Sequence, residues 1–130
     1  FADLLNWQGG DATIAYNLNK LPVAPVKTVI KAPKNGWVKS FANDQVGYLL
    51  IELGGGRKTK EDKLDLSVGF TFHVKVGSKV KKGDALMTIH HHANQQSVAD
   101  HISKNFLDNV IRFSSSLVKP ARLITEVVRA

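Results

Sequence analysis

Three consecutive histidines, His90, His91 and His92, close the stretch VKVGSKVKKGDALMTIHHH that begins at Val74. With its four lysines and two glycine turns, this stretch holds the densest set of groups in the chain able to ligate, titrate or be modified. Imidazoles suit a metal ion, but residues adjacent on a strand point to alternate faces, so three in a row cannot grip one ion. His90 and His92 share a face, with His73 or His101 as candidate company. None of the usual ligand spacings, such as HxxxH on a helix, is present, and the chain has no cysteine. That absence also removes disulfides, zinc–thiolate sites and cysteine nucleophiles. The plain reading of the histidines is a strand end reaching solvent.

A second chemistry is a lysine-borne prosthetic group. APKNGWVKSF, followed later by VKVGSKVKKGDALMTI, resembles the two half-motifs of biotinyl and lipoyl domains. The glycines are needed because the chain reverses twice within ten residues. Val76, Val80 and Leu86 are then expected to point inward. A carrier also needs a lysine displayed beside methionine or hydrophobic residues at a hairpin tip. Here the single methionine, Met87, lies inside the strand, and HHANQQ follows with no lysine before Lys104. The scaffold is expected without the carrier chemistry.

A third chemistry is phosphate binding at LGGGRKTKEDK. The amides of Gly55 and Gly56, with the side chains of Arg57 and Lys58, are candidate anion contacts. No GK[ST] follows, so this is not a Walker A loop. The glycines also come after a helix, whose C-terminal end is negative and repels anions. The competing and favoured reading is a helix stop that crosses closely over a neighbouring strand.

The elements that must position these groups follow from periodicity. Residues 1–8 read as a helix end stopped by Gly9 and Gly10, and Asp11 as the cap of a short turn through Tyr16. NLNKLPVAP is a connector with two prolines. Residues 26–31 alternate as a strand, Asn35-Gly36 turns the chain, and residues 37–41 form the return strand. Asn43 or Asp44 is the expected cap of a helix whose apolar face is Val46, Leu49, Leu50 and Leu53, ended by Gly54. Residues 66–76 read as extended, Gly77 and Gly83 as turns, and 85–89 as a strand. Ser97 is the expected cap of a last helix with the stripe Val98, Ile102, Phe106 and Val110, joined by Leu107, Ile111 and Phe113. Residues 123–128 read as a final strand.

Composition sets the outer bounds. The chain has 130 residues, 43% hydrophobic and 22% charged, enough for one domain with a core. No apolar run approaches the roughly 20 residues of a membrane-spanning helix, and the first ten residues lack the basic region of a signal peptide. No membrane partner is expected. The net charge of +7 favours anionic partners in general. Lysines and carboxylates interleave from Arg57 to Asp65, however, and there is no basic helix or RNP-like aromatic strand, so no nucleic-acid partner is expected. Phe1 in place of methionine, and FADLL reading as the last turns of a helix, lead us to expect a piece of a longer chain.

Taken in order, QGGD (Gln8 to Asp11), LGGGRKTKEDKLDLSVGF (Leu53 to Phe70) and KVGSKVKKGDALMTIH (Lys75 to His90) resemble the C-terminal domain of the pyrimidine nucleoside phosphorylase family, which includes thymidine phosphorylase. The resemblance implies an α+β fold: an α/β-hammerhead with a barrel-sandwich-hybrid-like β core and a C-terminal helix. Residues 1–25 would be the end of a preceding helical or linker segment, and 26–130 the domain. It implies a cytoplasmic parent enzyme of nucleoside salvage that uses inorganic phosphate as co-substrate to release the base of uridine or thymidine, leaving a pentose 1-phosphate. The phosphate- and base-binding residues would lie upstream, so no catalytic, cofactor or metal residue carries over to this chain, which alone would be inactive. Its partners would be the upstream α/β and helical domains of the same polypeptide, within a homodimer. HHH departs from the family's single histidine, with no functional effect expected. The alternative is a free-standing sandwich-hybrid module that binds anionic ligands.

Overall fold

The computed structural model describes residues 1–120 and 126. Among these residues, six strands form two three-stranded antiparallel sheets. In the first, β5 (Ala85–His91) lies between β1 (Val26–Lys31) and β3 (Gly69–Phe72); in the second, β2 (Gly36–Phe41) lies between β4 (Lys79–Val80) and β6 (Ile111–Ser114). Helix α1 (Ala2–Trp7) and two 3-10 turns, Ala12–Ala15 and Leu18–Lys20, precede the sheets; α2 (Asn43–Leu53) and α3 (Gln96–Asn105) pack against each other and against the sheets.

Burial follows sequence alternation where a strand has one wet face. On β1, Lys27, Val29 and Lys31 are exposed while Ile30 is buried. On β5, Leu86, Met87, Thr88 and Ile89 are all buried, as a central strand requires. The core joins these to Val38, Val80, Leu49 and Leu53 of α2, and Ala99, Ile102 and Phe106. Phe106 is fully buried, and its ring lies 6.3 Å from that of Phe41 and 6.2 Å from that of Phe72. Val80 and Leu86 point inward as expected, and Val76 is half-buried.

Several expectations change. The strands before and after Asn35-Gly36 do not form a hairpin: β1 pairs with β5, and β2 joins the other sheet. Gly36 is needed for close approach instead, since a Cβ there would stand 2.6 Å from the Ser114 carbonyl oxygen. Extended pairing within 66–76 is confined to Gly69–Phe72. Helix α2 starts from Ala42, without a side-chain cap from Asn43 or Asp44. Helix α3 starts at Gln96 and not after Ser97, and it does not run on through the apolar stripe. A widened π turn spans Phe106–Val110, and Ile111–Ser114 becomes strand β6, because β2 offers it a free hydrogen-bonding edge. The expected strand at 123–128 lies outside the described residues, Glu126 aside. No helix among the described residues is long and apolar enough to cross a membrane.

Candidate functional site

The three histidines leave β5 in three directions and serve three different contacts. His91 is fully buried. Its Nδ1 lies 2.8 Å from the His92 carbonyl oxygen, which can only accept, so Nδ1 carries the proton. Its Nε2 then accepts from the Thr28 hydroxyl of β1 at 2.9 Å. One ring proton satisfies both bonds, and β1 is locked to β5. His90 faces the other way, toward Thr71 of β3, with Nε2 2.9 Å from the hydroxyl. Its Nδ1 is buried with no hydrogen-bond partner among the described residues. Burial, then the charge of Lys27, then His73, push its pKa below the ordinary histidine value. His73 repeats the pattern one step along, with Nε2 2.7 Å from Thr88 Oγ1. His91, His90 and His73 thus each pair with a threonine of a neighbouring segment. Among the described residues no group of three ligating side chains converges on a metal position.

His92 lies just past the strand and caps the next helical turn. Its side chain accepts from the backbone N–H of Gln95, and the Gln95 carboxamide accepts from the backbone N–H of His92 at 2.9 Å. The other ring nitrogen, Nε2, therefore holds the proton and donates to Asp65 Oδ2 at 2.8 Å. Ser67 donates its backbone N–H at 2.9 Å and its hydroxyl at 2.6 Å to Asp65 Oδ1. These donors, the Ser67 hydroxyl first, its amide next and then His92, hold the Asp65 carboxyl down to about 2. Gln95 Nε2 donates to the Leu53 carbonyl at 2.9 Å, and Asp65 N–H to the Gly54 carbonyl at 3.0 Å. A polar clasp therefore joins the end of α2, residues 65–67 and the entry to α3.

A serine, a histidine and an aspartate in mutual contact invite a nucleophilic reading, which the geometry excludes. Asp65 and Ser67 share the same ring nitrogen, Nε2, and the opposite side of the ring is taken by Gln95. The serine hydroxyl donates to Asp65, and the ring nitrogen facing it already holds a proton, so the imidazole cannot serve as its base. What the arrangement does is mechanical: it closes the base of loop 55–64.

That loop contains the candidate anion contacts. Gly54 ends α2 at φ +100, and Gly55 and Gly56 fold back on the helix so closely that a Cβ would meet Leu50 at 2.6 Å and Ile51 at 2.5 Å. The glycines do stop the helix, but the close approach is to the last turns of α2 itself and not to a neighbouring strand. The Gly55 N–H donates to the Leu50 carbonyl at 3.0 Å. The Lys58 and Thr59 N–H groups donate to Asp62 Oδ2 at 2.8 and 2.9 Å, so the loop's amide nest is centred on its own carboxylate. Those amides, Thr59's first, lower the Asp62 pKa. Of the candidate anion contacts, the side chains of Arg57 and Lys58 are exposed. The clasp and the Asp62 nest were not foreseen, though both leave local signals: H-x-x-Q before an apolar periodic run, D-x-S at 65–67 and T-x-x-D at 59–62.

Beside the clasp an open cleft of about 470 Å³ is walled by Leu18, Leu21, Val23, Leu66, Thr71 and His90. Its aliphatic rim is exposed: Leu18 by 67% and Leu66 by 78%.

A family model described as the pyrimidine nucleoside phosphorylase C-terminal domain matches residues 37–107, the span from β2 through α3 that contains the glycine loop and the clasp. Among curated proteins, the pyrimidine-nucleoside phosphorylase of Staphylococcus aureus strain USA300 is 38% identical over 129 residues, covering 97% of this chain and 29% of that protein. The one from strain MSSA476 is 38% identical over 128 residues, covering 98% and 28%. The chain therefore spans under a third of the length of these relatives.

Proposed function

Since the chain belongs to the pyrimidine nucleoside phosphorylase family, as its C-terminal domain, we propose that it is the scaffold domain of such an enzyme and has no activity alone. The parent reaction is phosphorolysis of uridine or thymidine in nucleoside salvage: inorganic phosphate attacks C1′, the base departs, and a pentose 1-phosphate remains. That chemistry needs phosphate held against the sugar and charge stabilised on the departing base. The groups for both come from the upstream α/β and helical domains, in a cytoplasmic homodimer. The domain proper is 26–130, an α/β-hammerhead with a barrel-sandwich-hybrid-like core, and 1–25 ends the preceding segment.

The observation that carries this reading is how the matched span uses its polar groups. His91, His92, Asp65, Ser67, Gln95 and Asp62 spend their hydrogen-bonding groups on one another, on Thr28 or on backbone, as parts of a scaffold do. The exposed aliphatic rim of the cleft supports docking against the preceding domains.

The test follows release of uracil and thymine from uridine and thymidine, with and without phosphate. Phosphate-dependent release is expected from the full-length polypeptide and none from residues 1–130. Release by this chain alone would overturn the scaffold reading. A folded full-length protein that releases no base would overturn the activity and leave the anion-binding module as the better account.

A further inference from the structure

The charge of this chain is segregated. Residues 24–43 and 66–94, which hold β1 to β5, carry eight lysines and one carboxylate, Asp84; the remainder carries ten basic and ten acidic side chains. The whole excess of +7 therefore sits on the strands and their turns. All eight lysines are exposed, and none takes part in the ion pairs found among the described residues, Lys20–Asp11, His92–Asp65 and His101–Glu52.

The fold concentrates part of this charge around an aromatic ring. The turns at 32–35 and 81–84 are stitched together: Ala32 N–H donates to the Asp84 carbonyl and Gly83 N–H to the Ala32 carbonyl, each at 2.8 Å, and Lys82 N–H donates to Asn35 Oδ1 at 2.7 Å. Lys34, Lys81 and Lys82 thus occupy neighbouring turns. Beside them β4 pairs with β2, setting Lys79 opposite Trp37 with its ammonium 5.4 Å from the ring centroid. Gly36 and Val38 are buried while Trp37 between them is half-exposed, so the indole lies on the outer face of the sheet. The one nearby carboxylate, Asp84, accepts from the Lys81 N–H at 2.8 Å. An open cleft of about 350 Å³ runs past Asn35, Trp37, Lys79, Lys81 and Ser115.

A single bound phosphate would need a converging cage of donors, and this shallow surface has none. Lysines spaced along a sheet face, with an aromatic face among them, suit an extended polyanion whose bases can stack. We infer that the outer face of β4–β2, with the joined turns, binds single-stranded nucleic acid, Trp37 stacking on a base while Lys34, Lys79, Lys81 and Lys82 contact phosphates. This inference reverses the expectation of no nucleic-acid partner, which rested on linear motifs, whereas the face is assembled from two segments about forty residues apart, neither of them a recognisable motif.

The experiment uses the full-length protein and a fluorescent oligothymidylate, read by anisotropy. Binding is expected at about 50 mM salt, weakening as salt rises with a log–log slope of roughly −2 to −3, for three or four phosphates at about −0.7 each. The triple variant Lys79→Glu, Lys81→Glu, Lys82→Glu should bind at least about tenfold more weakly. Lys58→Glu, Lys60→Glu, Lys63→Glu makes the same change of charge in loop 55–64 and should stay within about twofold. Trp37→Leu should weaken binding about fivefold or more with the salt slope unchanged. Circular dichroism confirms that each variant is folded. Absence of binding at low salt, equal weakening by both triple variants, or equal competition by a polyglutamate peptide would each overturn the inference. None of these readouts depends on phosphorolysis, so this inference and the proposed activity fail separately.

Discussion

Residues 1–23 and the sheet–helix body that follows are built by different rules. The first segment satisfies its backbone locally. Asp11 accepts from the Thr13 N–H at 2.9 Å, Asn17 from the Asn19 N–H at 3.1 Å, and Lys20 pairs with Asp11 at 3.1 Å. Yet its helical pieces bury no residue, and Phe1, Trp7 and Tyr16 are 78%, 83% and 86% exposed. The body reaches the opposite balance. Among the described residues, sixteen apolar side chains are buried in one cluster, and the polar groups of the body link elements far apart in sequence. The contrast teaches that local hydrogen bonds shape a segment, while burial decides whether the segment contributes to the stability of the chain. It also separates the part that has structure but no core from the part that has both.

The contrast breaks first at Phe106. Phe106→Ala removes a fully buried ring and two aromatic neighbours. It should cost about 3–5 kcal/mol in denaturant unfolding of residues 1–130. The matching change in the other region, Trp7→Ala, should stay within about 0.5 kcal/mol in the same assay. If the two costs were similar, the segment would be coupled to the core and the comparison would fail.

The clasp comes next. Gln95→Ala removes both the acceptor for His92 N–H and the donor to Leu53. A loss of about 1–2 kcal/mol is expected, with faster amide exchange at Asp65, whose N–H holds the loop base to Gly54. An unchanged exchange rate there would show that the loop is closed without the clasp.

A finer separation uses two carboxylates with the same shift. Asp11 and Asp65 are both held at about 2, from an ordinary 3.8, in each case chiefly by a hydroxyl neighbour, Thr13 or Ser67. A carboxyl whose folded pKa is depressed stabilises the fold above its unfolded value and loses that effect as pH falls. The window is from about pH 4 down to 2, and stability rises with pH across it. Asp65→Asn should flatten the acid limb of global unfolding in this window. Asp11→Asn should leave that limb unchanged and only speed exchange of the Thr13 amide. A global effect of Asp11→Asn would join the two regions thermodynamically.

How far the sequence could be read divides along the same line of local against distant causes. Strands β1 and β5, helix α2, and the turns at Gly77 and Gly83 (φ +88 and +94) follow from alternation, an i, i+3, i+4, i+7 face and glycine. The apolar run through Val110 and Ile111 does not divide itself, since a short hydrophobic stretch fits a buried helix or a strand equally. The edge of β2 decides it. Asn35-Gly36 looked like a hairpin because the local turn chemistry allows one, while pairing with β5 and β6 takes the two flanking strands to different sheets. The family resemblance needed only the order of glycines and charges. The individual roles of His90, His91 and His92 needed the positions of Thr71, Thr28 and Asp65, which no spacing predicts.

The strand order also bears on how this chain folds as it is made. Val26 waits for His91, and Trp37 for Ser114, so neither sheet can close until most of the chain has been synthesised. Pairings this distant make folding slow, because long loops must close before any ladder is gained. Until then β1 and β2 present open hydrogen-bonding edges to whatever else is nearby, and β2 does so with Val38 and Phe41 still uncovered. A ribosome that paused after β2 would be holding two unpaired strand edges, and the emergence of β5 and then β6 would be the step that covers them.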